Sequence, residues 1–293
     1  MDAKLFLLHA LSPLHAGTGR GVGVIDLPIA REKATGIPYL PGSSLKGVLR
    51  DACETKDREK IFGPDTNNAD DYAGAVNFTD LRVLLFPVRS LRGTFAWVTS
   101  PLLLRRLRRD AKAVSHTLLS IDVPYHAEDG SCLVANENCK IIDSTSQVIL
   151  EDLPLDAERS QDVTDWANRL GKYLFPDDQY WQNALVSRFC IVSDDTMGFL
   201  LETGTEVVAR IALDEKKKTV KDGALWYEES LPAESILSGI VAAVEVTKSG
   251  AKPKEVFQTV KDITKQPLQV GGSATVGRGF CQMRILDVEE TKK

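Results

Sequence analysis

Asp26 is the only acid in a glycine-spaced run, LHAGTGRGVGVID, with glycines at 17, 19, 21 and 23. Flanked by Ile25 and Leu27 and followed by Pro28, such a carboxylate serves either as a turn former or as a ligand of a divalent ion. Mg²⁺ often takes one or two carboxylates and fills its shell with water and phosphate oxygens, and an ion so held activates an attacking oxygen and neutralises a leaving phosphate. His15, at the other end of the run, is of the type that moves protons near neutral pH, or equally a hydrogen-bonded strand end.

The next stretch, TGIPYLPGSSLKGVLR from Thr35 to Arg50, has the makings of an anion site. Gly36, Pro38, Pro41 and Gly42 set a constrained turn, Ser43 or Ser44 stands where a helix cap belongs, and Leu45, Val48, Leu49, Ala52 and Cys53 follow on one helical face. Lys46 and Arg50 lie four residues apart, a like-charge spacing that costs an isolated helix roughly 0.2–0.5 kcal/mol and that an anion would relieve. A helix start also offers unpaired N–H groups and the positive dipole end. The alternative is an ordinary turn followed by a solvated basic pair.

A second glycine cluster, QVGGSATVGRGF, holds Gly271, Gly272, Ser273, Gly277, Arg278 and Gly279 ahead of a strand. It reads as a phosphate-holding nest or as a tight turn with a bulge. Familiar enzymatic spacings are missing. Lys46 lies between Leu45 and Gly47, so this is no P-loop; the first glycine run misses GxGxxG; and no two of His9, His15, His116 and His126 are spaced i, i+4.

The chain has 293 residues, 43% hydrophobic and 26% charged, ample for one large domain. No apolar run approaches the roughly 20 residues that span a bilayer, so the expectation is a cytoplasmic protein without membrane contact. Cys53, Cys132, Cys139, Cys190 and Cys281 form no CxxC pair, which argues against a disulfide framework or a structural zinc. The net charge of −5 speaks against a nucleic-acid binder, but its distribution does not. Residues 81–112 carry eight Lys or Arg against one acid, and 151–165 carry six acids against Arg159. Charges segregated in this way can form a basic groove on one side with an acidic flank on the other, or make the chain self-complementary.

The elements needed to position these groups follow from pattern. Residues 3–11 read as a central strand covered on both faces, 44–53 as a helix, 76–88 and 94–99 as strands, and Ser100-Pro101 as the start of a helix with Arg105, Arg106, Arg108 and Arg109 opposite its leucines. Residues 163–174 and 253–263 read as helices. Strands at 188–192 and 206–213 suggest a long hairpin, with Met197, Phe199, Leu200 and Leu201 either core or wedge, and a charged turn at 214–223.

The words PGSSLKG, GVIDLPIARE, LLFPVRS and FAWVTSP resemble the RAMP backbone subunit of type III CRISPR effector complexes, in its type III-B (Cmr) version. The resemblance implies an α+β fold: an RRM-like, ferredoxin-like core from 1–60, 75–115 and 231–293, an insertion at about 116–187 and a projecting thumb hairpin at about 188–226. It makes 236–246 a strand. It implies a guide-RNA-binding subunit that cleaves paired target RNA at regular spacing as a metal-dependent endoribonuclease, with Mg²⁺ or Mn²⁺ as the divalent metal. Asp26 would be the catalytic residue and metal ligand, joined by His15 and by Glu228 or Glu229. Ser43, Ser44, Lys46, Arg50, Gly271, Gly272, Ser273 and Arg278 would hold RNA. The implied partners are guide RNA, complementary target RNA, further copies in a helical backbone and other Cmr subunits. The alternatives are a non-catalytic RNA-binding scaffold and the equivalent type III-A (Csm) subunit. With 7% aromatic residues the chain offers no stacking platform on its sheet, so recognition would run through phosphate and shape.

Overall fold

The computed structural model describes residues 2–21, 23–64, 72–116, 122–124, 128–213, 220–246 and 250–287. The first half contains β1 (Asp2–Ala10), β2 (Tyr39–Leu40), α1 (Gly42–Asp51), α2 (Arg58–Phe62), β3 (Val76–Phe78), β4 (Leu81–Arg89), β5 (Phe95–Thr99), α3 (Pro101–Ala113), β6 (Ser131–Ala135), β7 (Gln147–Leu150) and β8 (Leu153–Ser160). The second half contains α4 (Gln161–Leu174), α5 (Gln179–Arg188), β9 (Phe189–Val192), α6 (Asp194–Thr203), β10 (Glu206–Leu213), β11 (Val220–Ser230), β12 (Ile236–Ala243), α7 (Pro253–Ile263), β13 (Leu268–Gln269) and β14 (Phe280–Leu286).

β1 is central because its apolar run gives it two buried faces. It pairs antiparallel with β12 on one side and β14 on the other. Leu5 and Leu7 pack into a cluster with Leu104 and Leu107 of α3 and Trp166 and Leu170 of α4. Phe6 and Leu8 pack with Leu45 and Leu49 of α1 and Val256 and Val260 of α7. Each such side chain contributes about 1.5–3 kcal/mol through burial. The order β14-β1-β12-β4, all antiparallel, with α1 after β1 and α7 after β12, is the ferredoxin-like βαββαβ arrangement. The sheet face that an RRM leaves open for bases is covered here by α3 and α4.

Residues 90–235 are inserted between β4 and β12, and much of this insertion extends the main sheet through β5, β9, β6, β8 and β7 in that order. The 120–160 region, which lacks a clear pattern in the sequence, supplies three of these strands. The hairpin is displaced from its expected bounds of 188–226. Arg188 ends α5, β9 is a strand of the main sheet, and the free-standing pair is β10 with β11. The cause lies at Ser193, whose side chain accepts the Thr196 N–H at 3.1 Å and, with Asp194 and Asp195 in the first turn, starts α6. Met197, Leu200 and Leu201 are core, while Phe199 is exposed. Much of the charged turn at 214–223 lies outside the described residues. Pro87 sits within β4.

Candidate nucleic-acid interface

A ribbon of main-chain pairing assembles the site. Beyond β1, Leu14 pairs with Leu231; the glycine run then turns back so that Gly17 faces Ile29, and Leu27 pairs with Glu228 of β11. Arg31 pairs with Pro38, and β2 joins β4. The Asp26 segment is therefore bridged to the hairpin at Leu27 and Glu228 and leads through β2 into α1.

Asp26 is exposed, and its Oδ2 accepts the Tyr227 backbone N–H at 2.8 Å. No bond occupies Oδ1 among the described residues. His15 is buried, with Nδ1 at 2.6 Å from the Glu229 carbonyl oxygen. A carbonyl only accepts, so Nδ1 carries the proton and Nε2 the lone pair of the neutral ring. The ring supports both glycine segments: a Cβ at Gly17 would lie 2.5 Å from Nε2, and one at Gly272 2.9 Å from Cδ2.

The structure separates the two glutamates. Glu229 is 3% exposed, and its carboxylate accepts from Arg31 at 2.7 Å, Thr205 Oγ1 at 2.9 Å and the Ile29 N–H at 3.0 Å. It is built into the fold. Glu228 is also buried, but among the described residues its carboxylate meets only Arg210 Nε, at 3.5 Å, and its buried Oε1 has no hydrogen-bond partner. Glu228 is thus the one with an unpartnered acceptor, held out of solvent.

The anion site at α1 is smaller than its sequence suggests. The helix starts at Gly42 with Pro41 at the cap position, so neither Ser43 nor Ser44 caps it. Pro41 has the extended geometry of a cap (φ −58°, ψ 131°), and the Gly42 N–H is taken by Asp80 Oδ1 at 2.9 Å. That carboxylate opposes an anion at the first N–H of the helix. Ser43 and Ser44 are exposed, and Lys46 is half-buried without a carboxylate partner among the described residues. Burial, and then the neighbouring Arg50, lower the Lys46 pKa. Arg50 donates to the Gly63 carbonyl at 2.5 Å, which makes it a brace for the following loop.

Arg278 departs from its expected role as a phosphate cation. Its guanidinium is 2.7 Å from Glu206 Oε2 and its side chain is only 12% exposed, so it clasps the 271–279 loop to the hairpin base. Gly272 N–H to His15 O and Gly279 N–H to Pro13 O tie the rest of the loop down, and Ser273 is half-buried in a left-handed conformation. The arginine-rich helix is partly paired, with three carboxylates, Glu32, Asp110 and Asp122, shared among its arginines and Arg82. Arg106 pairs with Glu32 at 2.8 Å, Arg108 with Asp122 at 3.1 Å and Arg109 with Asp110 at 2.8 Å, and Arg82 of β4 meets Glu32 at 2.6 Å. The segment 81–112 is a poorer basic surface than its charge count implies. Burial raises the Glu32 pKa, but hydrogen bonds from Thr35, Arg106 and Arg82 outweigh it and bring the carboxyl to about 2. No group of three His, Cys, Asp or Glu among the described residues is placed to hold a metal unaided.

The profile of the RAMP superfamily matches residues 7–282. The chain belongs to the RAMP superfamily. This RAMP chain is 35% identical to the CRISPR system Cmr endoribonuclease Cmr4 of Pyrococcus furiosus, over 98% of its own length and 97% of the relative's. It is 26% identical to the CRISPR system CMR subunit Cmr4 of Saccharolobus solfataricus, over 97% and 96% of the two chains. The crystal structure of oligomeric Cmr4 from P. furiosus matches with a TM-score of 0.75 at 28% identity, covering 98% of this chain and 99% of that one. A chain of the type III-B Cmr-beta complex bound to cognate target RNA matches at 0.72 over 97% of each chain, and at 21% identity it speaks for the fold alone.

Within this RAMP site, sequence reading passes over Arg31, Glu32, Arg210 and Tyr227. The first two carried a faint signal, a charged pair directly after the apolar Ile29-Ala30. Arg210 looks like any polar residue of an exposed strand, and its meeting with Glu228 depends on hairpin register, Val208 opposite Glu228 and Arg210 opposite Trp226.

Proposed function

We propose that this RAMP chain is the repeated backbone subunit of a type III-B (Cmr) CRISPR ribonucleoprotein, which holds guide RNA and cleaves the paired target RNA. Full-length identity of 35% to a protein named as a Cmr endoribonuclease supports the first part. The observation that carries the second is the exposed carboxylate of Asp26, with Oδ2 held by the Tyr227 N–H and Oδ1 without a bond among the described residues. Ser43, Ser44 and Lys46 with the main chain of 271–273 would contact phosphates, while base pairing supplies the specificity. Further copies, other Cmr subunits, guide RNA and target RNA would be its partners in the cytoplasm.

One exposed carboxylate fits a Mg²⁺ or Mn²⁺ ion that completes its shell with water and RNA oxygens, and such an ion would neutralise charge developing at the scissile phosphate. The attacking group is the adjacent ribose 2′-hydroxyl. Its oxygen bonds to phosphorus as its proton passes to water, the P–O5′ bond breaks, and the 5′-oxygen takes a proton from water, leaving a 2′,3′-cyclic phosphate and a 5′-hydroxyl. Asp26 Oδ1 would be the protein's ligand to the ion. Glu228, whose unpartnered Oε1 lies buried one residue from Tyr227, is less committed to the fold than Glu229. His15 acts mainly as a strut under the two glycine loops.

Reconstitution with guide RNA and labelled target tests the proposal: cuts at a regular spacing, lost with EDTA and blocked by a 2′-deoxynucleotide at the cut, are expected. A second reading, a scaffold without catalysis, is favoured by the same Asp26–Tyr227 bond, which a purely structural aspartate would also make. That reading predicts a complex that binds target and never cuts it.

A further inference from the structure

We infer that Arg31 and Glu229 form a positioning joint that fixes the Asp26 arm against the hairpin, and that neither is itself a catalytic residue. The inference rests on the cleavage reading above. The Arg31 guanidinium reaches three segments at once: Nη1 donates to Gly36 O at 3.0 Å, and Nη2 donates to Leu201 O at 3.0 Å and to Glu229 Oε1 at 2.7 Å. Glu229 answers with the Ile29 N–H and the Thr205 hydroxyl. Five pieces of chain meet here: the return arm of the glycine run, the turn before α1, the end of α6, the link into β10, and β11.

The joint lies on the route by which the position of Asp26 is set. Between it and Asp26 run the bonds Glu229 N–H to Leu27 O at 3.0 Å, Leu27 N–H to Tyr227 O at 3.0 Å and Tyr227 N–H to Asp26 Oδ2 at 2.8 Å, while Gly21 N–H to Asp26 O at 2.8 Å and Thr18 N–H to Pro28 O at 3.2 Å hold the arm to the glycine run. Loss of the guanidinium fork would let the arm slide on β11 and carry the carboxylate away from the scissile phosphate, where about 1 Å of misplacement costs on the order of a hundredfold in rate. Arg31 Nη2 bridges a main-chain carbonyl and a carboxylate while Nη1 reaches a third acceptor, a geometry the single ammonium of lysine does not reproduce.

The test compares wild type with R31K, and with the double variant R31M/E229Q, which avoids stranding a buried charge, in complexes assembled with guide RNA. At saturating target, single-turnover cleavage is expected to fall at least tenfold in both, while target affinity stays within twofold and the fraction of folded, assembled protein is unchanged. In the free protein, the Leu27 and Tyr227 amides should exchange hydrogen faster. A role confined to stability would instead lower the folded fraction and leave the rate per assembled complex at the wild-type value. Wild-type cleavage by R31K and by the double variant, with D26N inactive beside them, overturns the joint and spares the cleavage reading. Wild-type cleavage by D26N overturns the reading on which the joint rests.

Discussion

Tyr227 donates its backbone N–H to Asp26 Oδ2 at 2.8 Å, a bond spanning 201 positions of sequence. It turns an aspartate on a glycine-rich loop into a fixed group. One oxygen ties the exposed side chain to β11, and the other has no bond among the described residues. The glycines on either side are explained by His15, whose ring fills the space a Cβ would need at Gly17 and Gly272.

The α1 site yields an electrostatic prediction. Lys46→Ala should weaken guide binding for unrelated sequences alike and reduce the slope of log affinity against log salt by roughly 0.7, the value for one phosphate contact on a single strand. Arg278→Ala should leave that slope unchanged, because its guanidinium is committed to Glu206, and should instead loosen the glycine loop. Salt titrations of both variants check this; a reduced slope for Arg278→Ala alone would reverse the assignment.

Two glycines of α1 should respond in opposite directions to alanine. At Gly42 a Cβ would sit 2.4 Å from the Phe78 carbonyl oxygen and 2.9 Å from that of Thr79, both main-chain atoms that cannot move aside. Gly42→Ala is expected to cost about 2–4 kcal/mol. At Gly47 nothing lies within 4 Å, so alanine should stabilise by about 0.5–1 kcal/mol through helix propensity. Urea unfolding of the two variants gives both numbers.

Glu32 sets an acid limit on stability. Its folded pKa of about 2 lies below the ordinary 4.5, so its contribution is complete above about pH 4.5 and is lost as the pH falls toward 2. Because the group is partly solvated, the contribution is discounted to about 1–2 kcal/mol. Glu32→Gln should be less stable than wild type by this amount at pH 7, and the gap should close near pH 2. A gap that stays constant with pH would show that the ion pairs to Arg82 and Arg106 contribute nothing beyond hydrogen bonding.

Much of this fold is legible in the chain because local signals agree with the tertiary outcome. The mostly apolar run of β1 gives a doubly covered central strand, Ser100-Pro101 opens α3, and Pro253 opens α7. The failures have a common cause in partners brought from far along the chain. The hairpin bounds differ because Ser193 and two aspartates start a helix inside the stretch that reads as hairpin. Ser43 and Ser44 lost the cap to Pro41 and the distant Asp80. Arg278 and the α3 arginines look like free cations until Glu206, Glu32 and Asp122 arrive opposite them. The difference between Glu228 and Glu229 is likewise invisible in sequence, since alternate residues of a strand face opposite sides and only the tertiary structure says which side holds Arg31.

Single-turnover cleavage by Asp26→Asn in the assembled complex is the most direct test of the central claim. Asparagine keeps the shape and can still accept the Tyr227 N–H, so assembly, guide affinity and target affinity should match wild type. Removal of the charge acts on the transition state, and cleavage should fall at least about a hundredfold, on the order of 2.7 kcal/mol in activation free energy. Full divalent-dependent cleavage by Asp26→Asn would contradict the account and leave Asp26 as a turn former that holds Tyr227.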